Sequence, residues 1–217
     1  MRKKAVIFEE DEVEAWLSQV RLPKDELQDI LDRAAGEWAS VNPNDPAGTY
    51  GIEMRRWSTR FLRESSVLLD LGWVACRHSQ VEGIRNDSLR MKIAFMNTDA
   101  RTGMISKMPH SVAEKGPISE KLIKQNSDVF QPWLIEPVPI EVDPILTYDF
   151  WYLCGHVSHK YIAAELSRPI GMTNSIVDNF SERVILWQPG DKDGVRVPDP
   201  VPEDFAEIEK PTVVRRR

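Results

Sequence analysis

The sequence predicts an α+β fold, in which an N-terminal helical part is followed by a mainly antiparallel sheet with one short intervening helix. Before residue 72, apolar residues recur every three or four positions, which is the helical period. After residue 72, several short segments alternate apolar and polar residues, which is the period of a strand. Because the two patterns occupy separate parts of the chain, they favour α+β over a parallel βαβ fold.

Composition is that of an ordinary globular protein, with 217 residues, of which 41% are hydrophobic and 29% charged. We find no apolar run of about 18 residues and no signal-peptide pattern, so we expect a cytoplasmic protein without a membrane span. A bacterial source is consistent with this expectation. The net charge of −6 argues against nucleic-acid binding over the whole surface but permits a local basic face. Two cysteines cannot form a disulfide framework, so free thiols are expected.

The first two predicted helices form a hairpin. Apolar residues at helical spacing line one side of each, and Pro23 suits the start of the second helix. The hairpin is assigned to residues 1–47 because the segment 42–48, which contains two prolines, ends the helical pattern. The rest of the chain is divided into an α+β core at residues 48–188 and a Pro-rich, acidic tail at residues 189–217. The alternative is that the whole chain forms a single domain.

A third helix is predicted from about Tyr50 to Leu71, closed by Gly72. Several arginines lie off its apolar stripe, and three of them fall on one side, which predicts a positive ridge that contacts phosphate or an acidic partner. The alternative is a solvated face whose arginines pair with nearby acidic residues. The off-stripe arginines are Arg55, Arg56, Arg60 and Arg63, and the ridge consists of Arg56, Arg60 and Arg63.

The strand-like segments predict two groups of strands separated by a helix. In the first group, a hairpin pairs residues 73–78 with residues 91–96, and Gly83 or Asn86-Asp87 makes the turn. A short helix at 117–126 and an extended, proline-rich segment at 130–147 follow. The second group is a meander whose strands are expected at 148–157, 161–168 and 182–187.

A polar loop, residues 97–116, follows the strand that ends at Met96, and loops at strand ends often carry function. Its side chains offer groups that could bind an anion, and a carboxylate and an imidazole suited to acid/base roles. No P-loop, GxSxG, HExxH or GxGxxG pattern accompanies them, so no reaction is assigned. The candidate binding residues are Asn97, Arg101, Thr102, Lys107 and Lys115, and the candidate catalytic residues are Asp99 and His110.

Two Cys-x-His pairs suggest zinc as an alternative. Residues two apart on a strand face the same way, so neighbouring strands could combine the pairs into a Cys2His2 set. The spacing differs from familiar zinc knuckles, so no metal is favoured and the cofactor is left unknown. The four residues are Cys76, His78, Cys154 and His156.

Glu165 is a charged residue within a predicted strand. The preferred interpretation is an exposed polar face, since antiparallel sheets often have one side in water. The alternative is a buried carboxylate paired with Arg168 or Arg183.

The leading hypothesis is a non-catalytic binding or accessory protein that recognises a protein or nucleic-acid partner through the arginine-bearing helix and the polar loop. The absence of an assembled catalytic motif favours it. The first alternative is a hydrolase or nuclease-like enzyme with its site in the 97–116 loop. The second alternative is a structural zinc protein.

Overall fold

The structure, a computed structural model, describes residues 5–42, 44–78, 81–128 and 148–191 and confirms the α+β class. The predicted extended segment at 130–147 and most of the predicted tail at 189–217 therefore lie outside the described residues. The elements in chain order are β1 (Ala5–Ile7), α1 (Glu10–Gln19), α2 (Lys24–Ala39), α3 (Thr49–Glu64), α4 (Ser66–Asp70), β2 (Trp73–His78), β3 (Val81–Asn86), β4 (Met91–Asn97), α5 (Pro117–Asp128), β5 (Asp149–Val157), β6 (Ile162–Thr173) and β7 (Ile176–Trp187).

The helical part follows the predicted apolar stripes, with one break. The helix predicted from Tyr50 to Leu71 is divided at Ser65, whose backbone is extended. The Ser65 hydroxyl accepts a hydrogen bond from the Leu68 backbone N–H at 3.0 Å, which caps α4 and makes a new helix start favourable. Gly72 ends this region with a φ of 90°, as its predicted closing role requires.

Helix α2 contains a glycine that the fold does not need. Gly36 lies on the exposed side of the helix, and a Cβ built there meets nothing within 4 Å. We expect Gly36→Ala to raise the free energy of unfolding by about 0.5–1 kcal/mol, because alanine loses less backbone entropy in a helix. Urea denaturation of the variant and the wild type measures this gain, and a lower stability of the variant would contradict it.

The sheet has seven strands in the order β1-β7-β6-β5-β4-β3-β2. Two antiparallel meanders, β2-β3-β4 and β5-β6-β7, join through a parallel pairing of β4 with β5. A second parallel pairing adds β1 to β7, so the sheet is mixed, although most of its pairings are antiparallel. Parallel pairings join distant parts of the chain, which local sequence patterns do not reveal.

Strand β3 corrects the predicted hairpin between 73–78 and 91–96, because β3 lies between those two segments. Gly83, predicted as a turn residue, instead lies within β3. A Cβ at Gly83 would lie 2.0 Å from the carbonyl oxygen of Ile93 on β4. The glycine therefore permits a close approach of two strands rather than a reversal of the chain. At the other end of the sheet, β7 begins at Ile176 rather than at the predicted residue 182.

Both faces of the sheet are covered, which explains why every residue of β4 from Met91 to Met96 is buried. Helices α1, α2 and α3 pack on one face, against residues such as Phe95 and Leu153. Helix α5 contributes to the core on the other face, with Tyr152 and Cys154. The predicted N-terminal hairpin thus shares a core with the sheet. Among the described residues, no helix combines the length and apolar character needed to cross a membrane.

Candidate binding surface

The polar loop after β4 is fixed to the β6-β7 hairpin by backbone hydrogen bonds. The Ser111 N–H donates to the Val177 carbonyl at 3.0 Å, and the Lys115 N–H donates to the Ser175 carbonyl at 2.8 Å. An isolated β-bridge also joins Thr98 to Ser111 within the loop. The loop therefore presents its side chains from a defined backbone.

A buried ion pair on strands β6 and β7 also holds the same loop in place. Glu165 on β6 and Arg183 on β7 are joined by two hydrogen bonds, with Nε to Oε1 at 2.8 Å and Nη2 to Oε2 at 2.5 Å. The Glu165 carboxylate also accepts from the backbone N–H of Gly103 at 2.8 Å, and Arg183 donates to the Met104 carbonyl at 3.1 Å. The preferred interpretation of Glu165 as exposed was wrong, and the pairing with Arg183 is correct. The loop covers this position, so neither face of β6 is open to water there.

The two candidate catalytic residues lie close together in this loop. Asp99 Oδ1 accepts hydrogen bonds from the backbone N–H groups of Arg101 and His110, at 3.1 and 3.2 Å. The His110 ring instead contacts the Arg101 guanidinium, with Nη1 3.1 Å from Nδ1 and 2.9 Å from Nε2. The carboxylate is therefore used to hold the turn, and it does not orient the imidazole as a general base would require.

Other predicted binding residues have contrasting positions. Thr102 is buried, and its hydroxyl oxygen lies 2.7 Å from Thr98 Oγ1 and 2.6 Å from the Asp99 carbonyl oxygen. Thr102 therefore stabilises the loop from inside and is not available to a partner. Arg101 and Lys107 are exposed.

The predicted arginine ridge on α3 is balanced by acidic side chains. Each of its three arginines lies within ion-pair distance of a glutamate, in the pairs Arg56–Glu53 (3.4 Å), Arg60–Glu64 (2.9 Å) and Arg63–Glu82 (3.8 Å). The guanidinium groups of Arg56 and Arg60 also lie over the Trp57 ring, each 5.1 Å from its centroid. The pairing of Arg56 with Glu53 and of Arg60 with Glu64 matches the alternative interpretation from the sequence, a solvated face whose arginines pair with nearby acidic residues. Such exposed pairs contribute little stability, but they reduce the positive charge that the ridge presents.

Helix α3 and the polar loop meet at Asn97. Its side-chain amide donates to the Gly51 carbonyl on α3 at 2.6 Å, and its own carbonyl accepts from the Val112 N–H at 3.1 Å. Ile52 and Val112, which flank this junction, have 64% and 67% of their surfaces exposed. We call the area around it the α3–loop surface, which consists of Ile52, Arg55, Val112 and Lys115.

The two basic residues of the α3–loop surface affect each other. Burial, together with the positive charge of Arg55, lowers the pKa of Lys115 to about 8. Within the described part of the chain, neither side chain forms an ion pair with an acidic residue. The fold therefore keeps two positive groups near each other without a compensating carboxylate. Lys115 was a predicted binding residue, whereas Arg55 was noted only as lying off the apolar stripe.

The lowered pKa of Lys115 predicts a specific pH dependence of stability. Between about pH 8 and pH 10.5 the unfolded chain holds the Lys115 proton more tightly than the folded chain does, so stability from this group rises with pH in that window. We expect the wild type to gain stability relative to Lys115→Met as the pH is raised from 7 to 10. Urea denaturation at each pH measures the difference, with Lys107→Met as a matched control in the same loop. Parallel pH profiles for Lys115→Met and the wild type would contradict the assignment.

The residues of the zinc alternative are not brought together. Strands β2 and β5 are separated by β3 and β4, so Cys76 and Cys154 lie about three strand spacings, or roughly 14 Å, apart. His78 ends β2, and the His156 ring contacts the Thr98 carbonyl at 3.2 Å. Among the described residues, no group of three or more His, Cys, Asp or Glu side chains is placed to hold a metal ion.

Comparison of the chain with protein-family models, with curated proteins and with solved structures found no match.

Proposed function

We propose that this chain is a non-catalytic binding protein that recognises a protein partner through the α3–loop surface. The partner would offer a carboxylate flanked by apolar side chains. The observation that carries the proposal is the junction at Asn97, where α3 and the loop contribute two basic groups without acidic partners and two exposed aliphatic side chains.

Electrostatics supports a carboxylate at this position. Like charges held close together disfavour the charged form of each group, and an incoming anion removes that penalty. A carboxylate near Arg55 and Lys115 would therefore gain charge-assisted hydrogen bonds and relieve their mutual repulsion. The exposed side chains of Ile52 and Val112 would add apolar area, which suits a protein interface.

Three features favour a protein partner over nucleic acid. The chain carries a net charge of −6, which opposes approach to a phosphate backbone. Glu53 and Glu64, beside the ridge arginines, would face the same phosphates. Trp57, which could otherwise stack on a base, is partly buried and lies against two guanidinium groups.

A peptide array tests the proposal with the full chain. The probes are 15-residue peptides that alternate Asp or Glu with Leu, Ile or Phe, and a single-stranded 20-nucleotide DNA serves as the competing probe. We expect binding to the acidic and apolar peptides, and a loss of about tenfold or more in affinity for Arg55→Ala combined with Lys115→Ala. The matched control is Arg56→Ala combined with Arg60→Ala, which also removes two positive charges from this side of the molecule.

The outcomes separate the hypotheses. Equal losses in the two double variants would show that total charge, rather than the α3–loop surface, governs binding. Binding to the DNA alone, with a steep dependence on salt, would assign the surface to nucleic acid instead. Binding to neither probe would overturn the proposal.

A further inference from the structure

A buried lysine lies on β4, an inner strand of the sheet, away from the α3–loop surface. Lys92 on β4 is 1% exposed, and its ammonium group donates to the Val81 carbonyl at 3.1 Å. No acidic side chain of the described residues forms an ion pair with it. A buried amine in this setting is costly to keep charged, and burial accordingly lowers the pKa of Lys92.

A buried cysteine accompanies this lysine. Cys76 on β2 pairs with Gly83 on β3, and Lys92 pairs with Arg85, two residues further along β3. Cys76 and Lys92 thus project from the same face of the sheet, with Gly83, which has no side chain, on the strand between them. The Cys76 side chain is close enough to the Lys92 amine to raise the pKa of Lys92, which opposes the larger lowering by burial. Cys76 is 6% exposed, so little water surrounds the pair.

These surroundings suit a reaction between the two groups. An unprotonated amine is a nucleophile, and the lowered pKa increases its population at neutral pH. A cysteine sulfur becomes an electrophile once it is oxidised to sulfenic acid, which nitrogen can capture. Cys76 lies on β2, the edge strand of the sheet, and keeps a small exposed area that a molecule as small as hydrogen peroxide can contact.

We propose that Cys76 and Lys92 form a covalent sulfur–nitrogen bond when the protein meets peroxide, which cross-links β2 to β4 across β3. In the first step peroxide oxidises the thiol to a sulfenic acid and is itself reduced to water. In the second step the Lys92 amine attacks the sulfur, the S–O bond breaks, and the hydroxyl leaves as water with a proton from nitrogen. The net change is a two-electron oxidation that removes two hydrogens, or about 2 Da, and a thiol reductant reverses it.

Mass spectrometry of the full chain tests this bond. After peroxide treatment, denaturation and alkylation, we expect Cys154 to be alkylated and Cys76 to be protected. Because trypsin does not cleave after a modified lysine, the peptide of residues 64–77 should be linked to the peptide of residues 91–101. Dithiothreitol should release both peptides.

Three variants separate this bond from other oxidation products. Cys76→Ser and Lys92→Met should each abolish the cross-link, whereas Cys154→Ser should retain it. Retention in Cys154→Ser also excludes a disulfide between the two cysteines, which would change the mass by the same amount. Lys92→Arg provides a second test at that position should Lys92→Met fail to fold. Recovery of Cys76 only as a free thiol or as an oxygenated product, with normal cleavage after Lys92, would overturn the proposal.

Discussion

Replacement of Glu165 by glutamine is expected to lower the free energy of unfolding by about 3–5 kcal/mol. The carboxylate is buried and accepts hydrogen bonds from Arg183, Ser167 and the Gly103 backbone. Glutamine keeps the shape of the side chain but leaves the Arg183 guanidinium as a buried charge without a counter-ion. Chemical denaturation followed by circular dichroism measures the loss.

Two matched variants make the source of this loss clear. Glu53→Gln breaks the exposed pair with Arg56, and we expect a change within about 1 kcal/mol because solvent screens that pair. Glu165→Leu combined with Arg183→Met removes both buried charges, and we expect it to recover much of the loss. A Glu165→Gln variant no less stable than Glu53→Gln would show that the buried pair does not anchor the loop.

Replacement of Gly103 by alanine is expected to cost about 2–5 kcal/mol. Gly103 has a φ of 75°, a conformation that costs an L-residue about 1–2 kcal/mol. A Cβ there would also lie 2.4 Å from the carbonyl oxygen of Trp187, and relieving such a clash typically costs about 1–3 kcal/mol. The shift would pull the Gly103 N–H from the Glu165 carboxylate. Urea denaturation gives the total.

Gly190 offers a control that isolates the backbone effect. Its φ is 99°, but a Cβ at this position meets nothing within 4 Å. Gly190→Ala should therefore lose only the conformational part, about 1–2 kcal/mol. Equal losses of stability in Gly103→Ala and Gly190→Ala would mean that the loop can move away from β7 at no measurable cost in free energy.

The helical part of the fold could be predicted because its information is local. Apolar spacing in α1 and α2 and the closing position of Gly72 depend on residues within a few turns of each other. The sheet was harder to predict. Gly83 is needed within β3 because the Ile93 carbonyl on β4 approaches it closely, and a local pattern does not show that contact. Strand β1 has only three residues, too few to form a recognisable alternation. Glu165 was misassigned for the same kind of reason, since its burial depends on a loop far away in the chain.

The α3–loop surface illustrates a similar limit. The arginine helix and the polar loop were both identified from composition, and Lys115 was among the predicted binding residues. Their meeting point depends on a hydrogen bond between Asn97 and Gly51, which are 46 residues apart in sequence. Without that contact, nothing in the sequence marked Arg55, which lies outside the predicted ridge, as a binding residue.

The parallel pairing of β4 with β5 has a consequence for the order of folding. Each meander consists of strands joined by short connections, so each can form early at a small cost in chain entropy. The β4-β5 pairing instead waits until residues 98–148 close a long loop. We therefore expect the two meanders to form as separate cooperative units, with their docking along β4 and β5 as the slow step of refolding.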